Sequence, residues 1–240
     1  MLENLKFDKV VFIDIETVSQ KSSYNGLSEE WKGLWEKKSA YLSKEEESPE
    51  ELYEKAGIYA EFGKVICISV RINRTAKKKP VFRIKSFYGK NEKKLLQDFC
   101  ELLRNSFQSS DYLLCAHNGK EFDFPFLARR ILINGLKLPY LLDIAGRKPW
   151  EVQHLDTLQL WKFGDYKHYT SLDLLSQLFD IESPKDDMNG SDVGKVFWED
   201  DDLERIVKYC QNDTLAVAQL LLAYKGLPKI KKSEVKIITS

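Results

Sequence analysis

The chain has 240 residues, 43% of them hydrophobic and 31% charged, enough for one sizeable core or two small ones. Lys+Arg and Asp+Glu each number 37, so the formal net charge is zero. That balance excludes a global field drawing the chain onto nucleic acid or an anionic membrane, and leaves such binding to a local site.

The N-terminal MLENLKFDK lacks the apolar stretch of a signal peptide, and no apolar run is long enough to span a bilayer. Cys67, Cys100, Cys115 and Cys210 form no C-x-x-C pair, and each lies in an apolar stretch. They read as buried free thiols of a reducing compartment. The expectation is a cytoplasmic protein with no membrane partner.

In chain order, residues 10–15 of VVFIDIETVS read as a buried strand, nearly continuous in apolar and β-branched residues. Residues 20–60 stand apart, rich in charge and Trp. Ser28 before EEWKGLW, and SPEE at 48–51 with Pro49 at the first helical position, mark two helix starts. They predict a helical insertion after the first strand. Two strands follow, at 64–72 and 81–88, joined by a basic tip carrying Lys77, Lys78 and Lys79. The spacing of Leu95, Leu96, Phe99, Leu102, Leu103 and Phe107 predicts an amphipathic helix over 92–107. A fourth strand is expected at 111–117, and a helix at 123–134 ending near Asn134-Gly135. The stretch from 154 to 224 reads as mostly helical, with Thr170 and Asp173 as a capping-box-like start and a last long helix over 201–223. Interleaved strands and helices make an α/β fold, a mixed central sheet flanked by helices. Residues 1–225 are expected as a single domain and 226–240 as a loose or disordered tail.

Three stretches carry candidate chemistry. Asp14 and Glu16 are two apart on a strand, so they share a face. Two adjacent buried anions are costly unless protonated or compensated, and a hard divalent cation is the natural compensation. The plainer reading is a strand that ends with both acids solvated. In AHNGKEFDFPFLARR, Asp123 is either a helix N-cap two residues before Pro125 or a third metal-site carboxylate. In that case Asn118 and Phe122 become polar and stacking contacts for a nucleotide. In IVKYCQNDTLAVAQLL, Tyr209 and Asp213 lie one turn apart on a helical face with buried residue types. They are either a core pair or part of the same site. His117, His154 and His168 lack zinc-ligand spacing, and Asp156 reads as a supporting residue rather than a ligand.

Together, DIET, HNGKEFDFPFL and YCQNDTLAVAQL resemble the three exonuclease motifs of the DEDD superfamily of 3′–5′ exonucleases. The Tyr in the third places the resemblance in the DEDDy branch, which includes the proofreading domain of family-B DNA polymerases. The approach KDDMNGSDVGKVFWEDDDLERIVKYC looks like that of stand-alone proteins related to that domain. The resemblance spans residues 14 to 213 and implies a ribonuclease H-like fold. It implies that Asp14, Glu16, Asp123 and Asp213 hold two divalent cations, Mg²⁺ or Mn²⁺, for two-metal phosphodiester hydrolysis. Tyr209 would orient the attacking water, Thr17 touch the terminal nucleotide, Asn118 bond the substrate backbone and Phe122 stack on a base. The partner would be the 3′ end of single-stranded nucleic acid, DNA favoured over RNA, released as nucleoside 5′-monophosphates. An exoribonuclease of the same chemistry is the alternative, and a catalytically inactive nucleic-acid-binding module the more distant one. The insertion is expected beside the site mouth, with Trp31 and Trp35 either touching substrate or packing an extra layer.

Overall fold

In a computed structural model, the central strand β1 (Val10–Ser19) shows why a strand can carry acids inside a core. Residues 2–42, 47–76, 79–148, 150–165, 167, 169–182 and 188–238 are described, with backbone alone for 72–76 and 79–80. β1 pairs antiparallel with β2 (Gly63–Ala76) and parallel with β4 (Leu113–Ala116). β3 (Lys79–Tyr88) pairs antiparallel with β2, and β5 (Leu155–Asp156) parallel with β4. β6 (Val235–Ile238) completes the mixed sheet, whose order is β5-β4-β1-β2-β3-β6.

The sheet is covered on both faces. Val11, Ile13 and Ile15 point into a core under α3 (Glu92–Ser106) and α4 (Asp123–Ile133), against Leu96, Phe99, Phe124 and Leu127. Val10 and Phe12 point the other way, against Val217, Ala218 and Leu221 of α8 (Leu203–Tyr224). Residues with side chains buried on both faces explain the unbroken apolar run. Arg71 of β2 interrupts the apolar pattern on the α8 side. Its guanidinium carbon lies 3.1 Å from the Phe82 ring centroid, and its nitrogens find no hydrogen-bond partner among the described residues. The ring face offers it a cation–π contact instead.

The insertion forms as its caps dictate. Ser28 accepts from Trp31 N–H at the start of α1 (Glu29–Ser39). Ser48 and Glu51 make a full capping box on α2 (Pro49–Leu52). A 3₁₀ turn, Tyr53–Ile58, leads back to the sheet. The insertion has its own small core of Leu27, Trp35, Leu52, Tyr53, Ala56 and Phe62. Trp35 is fully buried there and donates its indole N–H to the Pro49 carbonyl, so it is a packing residue and not a substrate contact. Trp31 is partly exposed and meets Phe62 edge-on.

Two expectations differ from the structure. The helix expected to open at Thr170 begins one residue later, with Ser171 as the N-cap of α6 (Leu172–Leu178). The tail is tied down. The Gln219 side-chain amide donates to the Ile230 carbonyl and accepts from its N–H, both at 2.9 Å, and β6 then docks on β3 from Phe82 to Lys85. The side chains of Lys77, Lys78 and Lys79, and all of His168, lie outside the described residues. The short helices α5 (Thr157–Lys162) and α7 (Val193–Trp198) fill the approach to α8. Among the described residues, no helix is long and apolar enough to cross a membrane.

Candidate active site

β1 delivers the first two acids. Ile13 and Ile15 enter the α3/α4 core, so the alternation turns Asp14 and Glu16 toward α8. The pairing with β2 shifts register between Glu16 and Thr17, where the acid-bearing stretch ends. α8 delivers Tyr209, Cys210 and Asp213. The Tyr209 hydroxyl is hydrogen-bonded to Asp213. The Cys210 thiol donates to the Asp14 carbonyl at 3.4 Å. Potential ligand atoms of Asp14, Glu16 and Cys210 lie within 4.8 Å of one another.

α4 delivers Asp123 as its first residue. The capping reading of Asp123 does not hold: Phe122 occupies the N-cap position and no side chain caps this helix. The Asp123 carboxylate instead accepts from its own backbone N–H and from that of Ile15, which fastens it to β1 between the two strand acids. The solvated-end reading of β1 fails as well: Glu16 is 7% exposed, and Asp14 is half-buried with its Oδ2 enclosed.

The electrostatics follow from this crowding. Burial first, then Asp213 and Asp123, push the Asp14 carboxyl well above the usual carboxylate range. Glu16 is raised by burial, then by Asp14 and Asp213. Asp123 is pushed up to about 8, by burial and by Asp156 and Asp213, against the two backbone bonds that lower it. Burial and the acids Asp213, Glu16 and Asp14 also raise the Tyr209 phenol, which stays protonated. Oδ2 of Asp14 is buried with no hydrogen-bond partner among the described residues. Clustered acids with an orphan oxygen are the setting that a divalent cation compensates, and hard carboxylate donors suit Mg²⁺ or Mn²⁺.

A stability signature follows. In metal-free protein, the raised carboxyls hold protons that the unfolded chain releases near pH 4. Stability is therefore greatest below that point and falls as pH rises toward about 8, the value at Asp123. The melting temperature in chelator is expected to fall between pH 5 and pH 8, and Asp123→Asn to flatten the fall. A flat or rising curve for the parent protein would contradict the clustering.

The loop before α4 is held by a residue whose reach the sequence did not reveal. The Asp156 carboxylate accepts from the N–H groups of Asn118 and Lys120, at 3.0 and 3.1 Å, while also capping α5 through Leu158 and Gln159. Asn118 has φ 60, the left-handed region. At Gly119 a Cβ would lie 2.4 Å from that of Ala116, so only glycine fits this turn. The strand-to-helix turn in HNGK was the available signal for both. Thr17 Oγ1 donates to the Gly57 carbonyl at 2.8 Å, so its hydroxyl proton anchors the insertion. Phe122 is half-buried against Phe126, with centroids 5.4 Å apart. His154 is structural: Nδ1 accepts from Leu114 N–H, and Nε2 donates to the Leu141 carbonyl. A cavity of about 610 Å³ between the end of β3 and α3 contains none of these residues.

A mixed sheet flanked by helices, with buried and half-buried acids gathered from its first strand and two helices, defines an exonuclease-like α/β domain. The fold matches that of the family B DNA polymerase from the hyperthermophilic archaeon Pyrobaculum calidifontis, with a TM-score of 0.55 and 16% identity. The match covers 90% of this chain and 24% of the polymerase chain, so this chain spans about a quarter of that protein. Residues 58–228 match the family described as predicted 3′–5′ exonucleases related to the exonuclease domain of PolB, and the chain belongs to that family. Asp123, Tyr209 and Asp213 fall inside the matched span, whereas Asp14 and Glu16 precede it.

Proposed function

We propose that this chain removes nucleotides from the 3′ end of single-stranded DNA as nucleoside 5′-monophosphates, with Asp14, Glu16, Asp123 and Asp213 holding two divalent cations, Mg²⁺ or Mn²⁺. The observation that carries this reading is the gathering of acids around the buried, orphan Asp14 Oδ2, with Tyr209 hydrogen-bonded to Asp213. Bound there, such ions supply an acidified water and neutralise charge on the departing oxygen. The family membership supports the reaction, and the likeness to a DNA polymerase favours DNA. The complete set of acids and the Tyr speaks against an inactive binding module.

The remaining work falls to the chain. The Tyr209 phenol, kept protonated by its acidic surroundings, is bonded to Asp213 and orients the attacking water without acting as its base. The loop clamped by Asp156 presents Asn118 to the substrate backbone and the edge of Phe122 to a base. The Thr17 backbone contacts the terminal nucleotide. Zero net charge favours a compact pocket for the last few nucleotides over a long basic track. A cytoplasmic location fits the four buried free thiols.

The test is incubation with 5′-labelled single-stranded DNA and RNA in Mg²⁺, Mn²⁺ or chelator. Metal-dependent shortening of DNA from the 3′ end is expected. Preference for RNA would make the chain an exoribonuclease, and no shortening of either would overturn the enzyme reading. Tyr209→Phe is expected to lower kcat by about 10- to 100-fold, the usual loss when a ligand's hydrogen-bond partner is removed. An unchanged rate would remove Tyr209 from the mechanism.

A further inference from the structure

Tyr169, two residues before the Ser171 cap of α6, is not used by the reaction described above. Tyr169 is 66% exposed, yet it sits beside the site rather than on an unrelated surface. Its ring meets that of His117 edge-on, with centroids 6.3 Å apart. His117 directly precedes Asn118 and is held at both ring nitrogens, Nδ1 by Thr157 Oγ1 at 2.9 Å and Nε2 by the Thr170 carbonyl at 3.0 Å. That second bond fixes the backbone next to Tyr169 to the end of β4. Ser171 then caps α6, so Tyr169 is anchored on its C-terminal side by a ring and a helix start. Partial burial of the hydroxyl end first, then Asp123, Asp156, Asp173 and Asp213, raise its phenol above the ordinary tyrosine value. Tyr209 feels Asp213, Glu16 and Asp14.

We propose that Tyr169 is a substrate-contacting residue, an exposed ring positioned by His117 on which a nucleobase of the bound single strand stacks at the Asp123 side of the acids. The inference rests on the nuclease reading above and adds a subsite to it. Exposed, pre-positioned aromatic rings are the usual platform for sequence-tolerant base stacking. Acids in the neighbourhood disfavour a phosphate at the ring itself, so a neutral base is the fitting group.

The test is equilibrium binding, by fluorescence anisotropy, of a 5′-labelled single-stranded DNA in Ca²⁺. A series of oligonucleotides carries one abasic site at each of the last few 3′ positions. For the parent protein, one abasic position is expected to weaken binding about tenfold, the value of one stacked base. Tyr169→Ala should weaken binding to the intact strand by a similar factor and erase the penalty at that position. Tyr169→Phe should bind within about twofold of the parent. His117→Ala should weaken binding too, and add little on top of Tyr169→Ala. Parent-like affinity in Tyr169→Ala, or an abasic profile unchanged by it, would overturn the subsite while leaving the nuclease reading intact. Failure of the parent protein to bind or shorten any single strand would overturn both.

Discussion

Asp14→Ala and Asp213→Ala are each expected to lower the rate of 3′ shortening by at least about 1000-fold, with the fold retained. Both carboxylates belong to one charge cluster, and neither can be replaced by a neighbour. Asp123 is fastened to the backbone of Ile15, and Glu16 lies beyond Asp14 on the same strand. The loss is not a stability effect. Burial and like charge hold the Asp14 carboxyl far above its ordinary range, so truncating it removes repulsion from the metal-free protein. Melting temperature in chelator should therefore stay level or rise at neutral pH, while activity disappears. A variant that keeps more than about a tenth of the parent rate would show that the cluster is not the reaction centre.

The largest stability loss is expected away from the acids, in the ion pair that fixes α4. Arg130 donates from Nε and Nη2 to the two Glu92 oxygens at 2.8 and 2.5 Å, and from Nη1 to the Ala60 carbonyl at 2.9 Å. Glu92 also accepts from Val65 N–H and Asn134 Nδ2. The pair is buried, with side chains 7% and 10% exposed. It joins α3, α4, β2 and the chain returning from the insertion. Arg130→Met leaves a buried carboxylate without its charge partner, which costs roughly 3–5 kcal/mol. For a domain of this size that lowers the melting temperature by roughly 6–20 °C. The double variant Arg130→Met/Glu92→Leu should recover much of the loss, because no buried charge is left unpaired. An unchanged melting temperature for Arg130→Met would mean that the pair contributes nothing net.

Local signals in the sequence carried over well into the structure. The capping serines Ser28 and Ser48 sit where the sequence placed them, Ser48 with Glu51 three residues on, because a cap depends on residues only three apart. The period of Leu95, Leu96, Phe99 and Leu103 marked the buried side of α3, because one amphipathic face is enough to specify it. β5 was not legible because two residues form no pattern. β6 was not legible because its support is Gln219, distant in sequence, clamping the Ile230 backbone. The pairing of Arg130 with Glu92 leaves no local signal, since the two residues are 38 positions apart. Their burial depends on how two helices cross β2.

The sequence by itself determined the kinds and order of the elements from β1 to α4, the last long helix and the three acid-bearing stretches, since periodicity, capping and motif spacing are properties of neighbouring residues. It also limited the chemistry, because carboxylates on a buried strand demand compensation. Only the tertiary structure decided that Asp123 binds the backbone of β1 instead of capping α4, that Asp156 clamps the loop of Asn118, and that the Thr17 hydroxyl is spent on Gly57. It also decided that Tyr169 meets the His117 ring with its own ring exposed, while Trp35 is buried in the core of the insertion. The physical reason is common to all of these. Each depends on hydrogen bonds and burial between residues brought together by packing, and a side chain's partners across tens of residues leave no period in the chain.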